Sequence, residues 1–214
     1  MIEAPATTPA APRAPVGLYR LKPWYTARLS AVLRHAADRS WSPDAFTAAG
    51  LLAALAAAGA IWAAARHPLV GLAVLPLLAA RLAGANLDGA LARARGVSRP
   101  WGAVLNELGD RGSDLVVMLA LAARVGWGWA LAATLSASLP TFSSLAVASA
   151  GGSRANGGPV GKTERAALLS LAGITAAFGR DLWFAVTVLV LVAGPVTAAL
   201  RLRAGHRELS GARA

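Results

Sequence analysis

The amino-acid sequence predicts an all-α integral membrane protein, with six transmembrane helices preceded by an N-terminal interfacial amphipathic helix. Two features carry that expectation. The chain of 214 residues is 56% hydrophobic with a mean hydropathy of +0.53, and its apolar residues fall into long charge-free blocks rather than stripes of helical or strand period. Its 21 Lys and Arg residues, against 10 Asp and Glu, flank those blocks and crowd into every second connection, as membrane insertion requires of cytoplasmic loops. The formal charge of +11 is therefore a topological signal. A nucleic-acid surface would instead show basic clusters interleaved with aromatic residues on a soluble fold. With no cysteine, disulfides and thiolate metal sites are excluded. His35, His67 and His206 stand apart near segment ends, without ligand spacing.

Residues 1–15 are rich in Pro and Ala and lack the apolar core of a signal peptide, which predicts a disordered tail. Residues 16–41 mix Leu, Val, Trp and Tyr with Arg20, Lys22, Arg28, Arg34 and Arg39, a basic helix with aromatic anchors suited to the membrane interface. The membrane domain is expected over 42–209. Ser42, Pro43 and Asp44 open its first helix, with Ser as N-cap, Pro in the first turn and an acid at the positive end of the dipole. The uncharged run from Ala45 to Ala65 has 21 residues, enough to cross ~30 Å of hydrocarbon. Span two runs from Pro68 to about Ala92, interrupted only by Arg81 before a group of acids, and breaks at Gly96 to Pro100. Span three opens at Trp101 and ends at Arg124 and Gly126. Val125 to Ser153 carries no charge and supplies span four, with a kink expected at Pro140. A Gly-rich loop with Arg154, Lys162 and Arg165 leads into span five, roughly Thr163 to Gly179. After a turn at Arg180 and Asp181, the 19 uncharged residues from Leu182 to Leu200 supply span six, and a basic tail follows.

Counting Lys and Arg orients the bundle. Six precede span one, three (Arg93, Arg95, Arg99) lie between spans two and three, three (Arg154, Lys162, Arg165) between four and five, and four follow span six. Arg66, Arg124 and Arg180 stand alone in the alternate connections. Both termini and the acidic cluster then face the cytoplasm from a multi-pass position in the plasma membrane. The excess of Ala, and of Arg over Lys, fits a GC-rich bacterial genome.

The chemistry concentrates between Ala85 and Asp114. Asp88, Asn106, Glu107, Asp110 and Asp114 stand at the ends of apolar segments, where an isolated carboxylate costs roughly 2.5–3.5 kcal/mol at mid-membrane. Asn106, Asp110 and Asp114 recur at every fourth residue and so line one helix face, while Asp88 sits on the preceding antiparallel helix. Oxygen ligands offered from two facing helices suit a hard cation, Mg²⁺ or Mn²⁺, with sites left open for phosphate. On a straight helix Asn86 and Glu107 point about 100° away from that face.

These residues resemble the signature of the CDP-alcohol phosphatidyltransferases, D-x2-D-G-x2-A-R-x8-G-x3-D-x3-D. Asp88, Gly89, Ala92, Arg93, Gly102 and Asp110 stand at six of its eight positions, whereas Ala85 and Asn106 replace the first and third aspartates. The opening SPDAFTAAGL is similar to the family's first-span entry, with Asp44 in place of an asparagine. The tail GDRGSD and the segment GPVGKTER resemble the phosphatidylinositol-phosphate synthase branch. The resemblance implies displacement of CMP from a CDP-diacylglycerol-like lipid by an alcohol, with Mg²⁺ or Mn²⁺ as cofactor. It implies metal ligation by Asp88, Asn106, Asp110 and Asp114, with Asp110 as general base. It also implies nucleotide contact at Gly89, Ala92, Arg93 and Gly102, an acceptor pocket at Arg154, Lys162 and Arg165, and a homodimer. Two missing carboxylates predict weaker metal affinity and leave open a second function, a noncatalytic relative that binds a CDP-lipid or a partner through the same cleft.

Overall fold

The computed structural model describes residues 22–211. The tail expected over 1–15 and the first part of the interfacial segment, 16–21, lie outside the described residues. Among the described residues there is no strand. The helices in chain order are α1 (Lys22–Arg28), α2 (Ser30–Asp38), α3 (Pro43–Ala63), α4 (Val74–Ala94), α5 (Pro100–Leu119), α6 (Ala122–Val125), α7 (Trp127–Ser149), α8 (Lys162–Ala177) and α9 (Trp183–Gly211), and a 3₁₀ turn, Pro68–Ala73, leads into α4.

The six expected spans fall on α3, the 3₁₀ turn with α4, α5 with the short α6, α7, α8 and α9; span three, expected to run unbroken, ends as a long helix at Leu119. Four segments are long and apolar enough to cross a membrane: Pro43–Ala63, Pro68–Ala94, Trp127–Ser149 and Trp183–Gly211. The other two differ for visible reasons. Helix α5 has the length but carries Glu107, Asp110, Arg111 and Asp114, and α8 has only 16 residues and opens on Lys162, Glu164 and Arg165. The last helix also exceeds its expected end: α9 continues to Gly211 through residues assigned to a tail, and Arg201, just past that expected end, turns inward and donates to the Pro140 carbonyl.

The packing is that of a molecule whose outer solvent is apolar. The core is built largely from alanine, with Ala54, Ala57, Ala64, Ala130, Ala133 and Ala172 fully buried, while Leu135 and Phe142 are 70% and 63% exposed on the outer surface. Hydrocarbon gives no hydrophobic drive to bury large side chains, so helices associate where small residues let backbones approach. Helix α3 packs on α4 and α5, α7 packs on α9, and α8 lies against α4 and the 3₁₀ turn. The α3–α4 contact is tightest at Gly84, where an added Cβ would lie 2.7 Å from the Phe46 carbonyl oxygen and 2.9 Å from the Gly50 Cα. That approach brings Thr47 of α3 onto Asp88 of α4. Gly71 and Gly173 meet equally closely and seat α8.

The Ser42 cap at the start of α3 fits the sequence expectation, and further ties hold that end. The Ser42 Oγ accepts from the Asp44 amide at 3.3 Å, and Asp44 is ion-paired with Arg99. Arg95 donates to the Trp41 carbonyl at 2.6 Å. Helix α2 packs Ala36 and Leu33, with Leu29 just before it, against Phe46, Leu87 and Leu91. At the other end Arg124 bridges to Asp181 at 2.7 Å and stands 5.8 Å from the ring centre of the buried Trp183.

Candidate active site

The acids reach one site because α4 and α5 are antiparallel neighbours, both packed on α3. Asp88, 4% exposed, accepts a hydrogen bond from the Thr47 hydroxyl at 2.9 Å and another from the Gly89 amide. Asp110 accepts from the Lys162 ammonium at 2.7 Å, and its second oxygen lies 3.7 Å from the Arg81 guanidinium. Asp88 and Asp110 line one narrow pocket together with Thr47, Arg81, Ala85 and Asn106. That pocket shares Ala85, Asn106 and Asp110 with one larger cavity and Thr47, Asp88 and Asn106 with another.

The first cavity, of about 460 Å³, lies between the start of α3, the end of α4 and the start of α5, and Gly89, Ala92, Arg93 and Gly102 all line it. Neither glycine is required by protein packing. A Cβ at Gly89 would meet only the Arg93 Nη1 at 3.3 Å, and one at Gly102 only the flexible side chain of Arg99. Their missing side chains leave space in the cavity rather than room for a neighbouring helix.

The second cavity, of about 370 Å³, is lined by five cations, Arg111, Arg154, Lys162, Arg165 and Arg201, against the carboxylates of Glu107, Asp110 and Glu164. The three basic residues expected to form an acceptor pocket are thus together. Arg201 is fixed by four acceptors: the carbonyls of Pro140, Asn156 and Gly157 and the Ser144 hydroxyl, at 2.8–3.0 Å. It ties the Gly-rich loop to α7 and α9. Tyr25 and Trp24 of α1 line the same cavity, and the Tyr25 hydroxyl donates to the Ala79 carbonyl at 2.7 Å. Asn106 lines both cavities and the narrow pocket between them.

Asp114 has a different environment. Its carboxylate lies 2.7 Å from Arg81, 2.8 Å from Arg165 and 3.4 Å from Arg111. Glu107 is ion-paired with Arg111 at 3.1 Å and with Arg154, so it faces the cationic cavity. Among the described residues no group of three or more His, Asp or Glu side chains forms a metal-binding cluster. Two carboxylates, Asp88 and Asp110, and the Asn106 amide remain at the narrow pocket. Three oxygen-donor side chains suit one hard cation that takes its other ligands from water and a phosphate. They do not suit two, because Ala85 brings no ligand atom and Asp114 is engaged by arginines.

Sequence reasoning did not single out Arg81, Arg201, Tyr25 or Thr47 for the site. Thr47 stood inside the first-span motif. Arg81 was visible as the one cation within span two, a position where a cation needs a partner.

No family model and no curated protein sequence matches the chain. Among solved structures it matches phosphatidylinositol phosphate synthase of Mycobacterium tuberculosis with CDP-DAG bound, at TM-score 0.63 and 22% identity over 82% of this chain and 92% of that one. The same enzyme in complex with manganese and citrate matches at TM-score 0.63 and 23% identity over 82% and 87% of the two chains. Its apo form matches at TM-score 0.60 and 21% identity over 81% and 93%. That enzyme is a CDP-alcohol phosphatidyltransferase, and the chain shares its fold.

Proposed function

We propose that the chain is a CDP-alcohol phosphatidyltransferase that moves a phosphatidyl group from a CDP-linked lipid to an anionic alcohol, releasing CMP. The observation that carries this is the order of the three voids. An open cavity at the signature glycines and a cationic cavity both share lining residues with the narrow pocket of Asp88, Asn106 and Asp110, so a pyrophosphate held on one side could be attacked from the other. The cytidine diphosphate would lie along Gly89, Ala92 and Gly102, with Arg93 beside it. The acceptor, bearing a phosphate, would occupy the second cavity against Lys162, Arg165 and Arg154, where cations outnumber carboxylates.

Asp110 lines both the cationic cavity and the narrow pocket, which suits a general base. The acceptor oxygen would form a bond to the lipid-bearing phosphorus as the bond from that phosphorus to the CMP oxygen breaks. CMP would leave with the electron pair, and the hydroxyl proton would pass to Asp110. Lys162, 2.7 Å from the same carboxylate, orients it. Asp88, Asn106 and Asp110 would hold a Mg²⁺ or Mn²⁺ ion, which spreads the negative charge of the diphosphate. Asp114 serves instead to anchor Arg81, Arg111 and Arg165.

We further propose the multi-pass topology given by the arginine count. Six helices cross, both termini and the site face the cytoplasm, and α5 and α8 cross with their charges turned into the bundle. The homodimer is carried as part of the same proposal and is tested by mass measurement in detergent or nanodiscs. The noncatalytic reading has one observation in its favour, the loss of two family carboxylates at Ala85 and Asn106. One experiment separates the two. Purified protein is given CDP-diacylglycerol, a panel of alcohols with and without a phosphate, and Mn²⁺, Mg²⁺ or chelator, and CMP is measured. Metal-dependent CMP release with a phosphorylated alcohol supports the transferase; CDP-lipid binding without CMP release from any acceptor rejects it.

A further inference from the structure

One cation at this site has no part in the reaction outlined above. Arg81 is 3% exposed, and its Nη2 lies 2.7 Å from Asp114 Oδ1, 3.1 Å from the Asp110 main-chain oxygen and 3.7 Å from Asp110 Oδ1. Its Nε is buried with no hydrogen-bond partner. Arg81 stands one helical turn before Ala85, so both present to the same face of α4, and both line the narrow pocket with Asp88, Asn106 and Asp110.

We propose that Arg81 is a fixed positive charge in the place of a second divalent ion, so that the site takes one divalent cation, at Asp88, Asn106 and Asp110, and no more. What the ion does rests on the transferase reading; the number of ions rests on the geometry. A purely structural arginine would be matched to one carboxylate. Here Arg81 has no carboxylate of its own: Asp114 also meets Arg165 at 2.8 Å and Arg111 at 3.4 Å, and Asp110 also meets Lys162 at 2.7 Å, so Arg81, Arg111, Arg154, Lys162 and Arg165 share Glu107, Asp110 and Asp114. That surplus lies beside Asp110, the residue nearest the reacting phosphate in the proposed reaction. A second dication would sit against a guanidinium that burial keeps from being screened by water or salt. The missing side chain at Ala85 and the added charge at Arg81 are then two halves of one change: the ligand for an ion is lost and a cation is supplied.

The test counts Mn²⁺ ions bound to purified protein in detergent, by electron paramagnetic resonance and calorimetry, in wild type, Arg81→Gln, Ala85→Asp and the double variant. Wild type should bind one ion. Arg81→Gln should raise affinity for that ion at least tenfold, because repulsion is removed while the ligands are kept. Ala85→Asp alone should still bind one, since the new carboxylate pairs with Arg81, and the double variant should bind two. Arg81→Lys keeps the charge and should keep the wild-type count and affinity, which separates charge from a packing role. Two ions in wild type, none in wild type, or a folded Arg81→Gln with unchanged affinity would each overturn the proposal. If the double variant does not fold, the affinities of Arg81→Gln and Arg81→Lys decide. One Mn²⁺ bound without CMP release would reject the transferase reading and leave this inference standing.

Discussion

Replacing Asp110 with asparagine separates chemistry from architecture at this site. The substitution keeps the shape and an oxygen for the Lys162 ammonium, now 2.7 Å from a carboxylate, and removes the charge and the base. Two costs follow, and they differ in size. The Lys162 side chain is 28% exposed, so its ammonium can rehydrate, and losing the pair should cost about 1 kcal/mol or less of stability. For a chain of this length that lowers Tm by about 2–4 °C. Losing a general base lowers turnover by about 10²–10⁴, or about 2.7–5.5 kcal/mol of barrier. Activity should therefore collapse in a protein that is still folded. The assay pairs CMP release at saturating CDP-diacylglycerol and acceptor with a melting curve in the same detergent. Turnover within tenfold of wild type would refute the role of Asp110. A loss matched by collapse of the melting transition would show that the carboxylate holds the fold rather than the proton.

Lys162→Ala should raise the acceptor KM at least tenfold while changing the CDP-lipid KM less than threefold, because Lys162 lines the cationic cavity and not the cavity at the glycines; equal effects on both substrates would show that the two cavities are not separate subsites. Gly89→Leu should fill the first cavity and weaken CDP-lipid binding at nearly unchanged Tm, since a Cβ there meets only the Arg93 side chain. Gly84→Ala should do the reverse at the level of stability, costing about 1–3 kcal/mol as α3 and α4 are forced apart. The two glycines are thereby told apart by melting curves alone.

The four apolar spans were legible because length and lack of charge suffice to mark a segment that can cross hydrocarbon. The helices α5 and α8 were placed from the acid spacing, the glycine-rich breaks and the motif, because their charges hide them from any hydropathy measure. The lining of the first cavity by Gly89, Ala92, Arg93 and Gly102 was legible from the signature. The ion pairs were not. The sequence shows that Arg81, Arg111 and Arg165 exist near the acids, but which carboxylate each meets depends on how α4, α5 and α8 are rotated about their axes. Glu107 shows the consequence: it points away from the Asn106 face on α5, yet that direction leads to Arg154 and into the cationic cavity. Likewise the inward turn of Arg201, just past the expected end of α9, depends on carbonyls that the loop at Asn156 and Gly157 presents only once folded.

The distribution of charge makes a last prediction that needs no turnover. Around the second cavity five cations, Arg111, Arg154, Lys162, Arg165 and Arg201, stand against the three carboxylates of Glu107, Asp110 and Glu164, more cations than those carboxylates neutralise. Like charges gathered in a poorly hydrated bundle repel, and the repulsion is relieved when a dianion enters. A phosphate should therefore stabilise the folded protein as a ligand that binds the native state only. At a hundredfold excess over its Kd the gain is ~2.7 kcal/mol, which for this chain length raises Tm by about 5–10 °C. Inorganic phosphate is titrated against wild type at constant ionic strength, with chloride as the control. The rise should saturate for phosphate, be absent for chloride, and shrink in Lys162→Ala and Arg154→Ala, the two most exposed of the cavity cations, at 28% and 40%. An equal rise with chloride would mean general screening of a crowded positive surface. The cavity would then have no claim to recognise phosphate, and the acceptor class proposed here would lose its support.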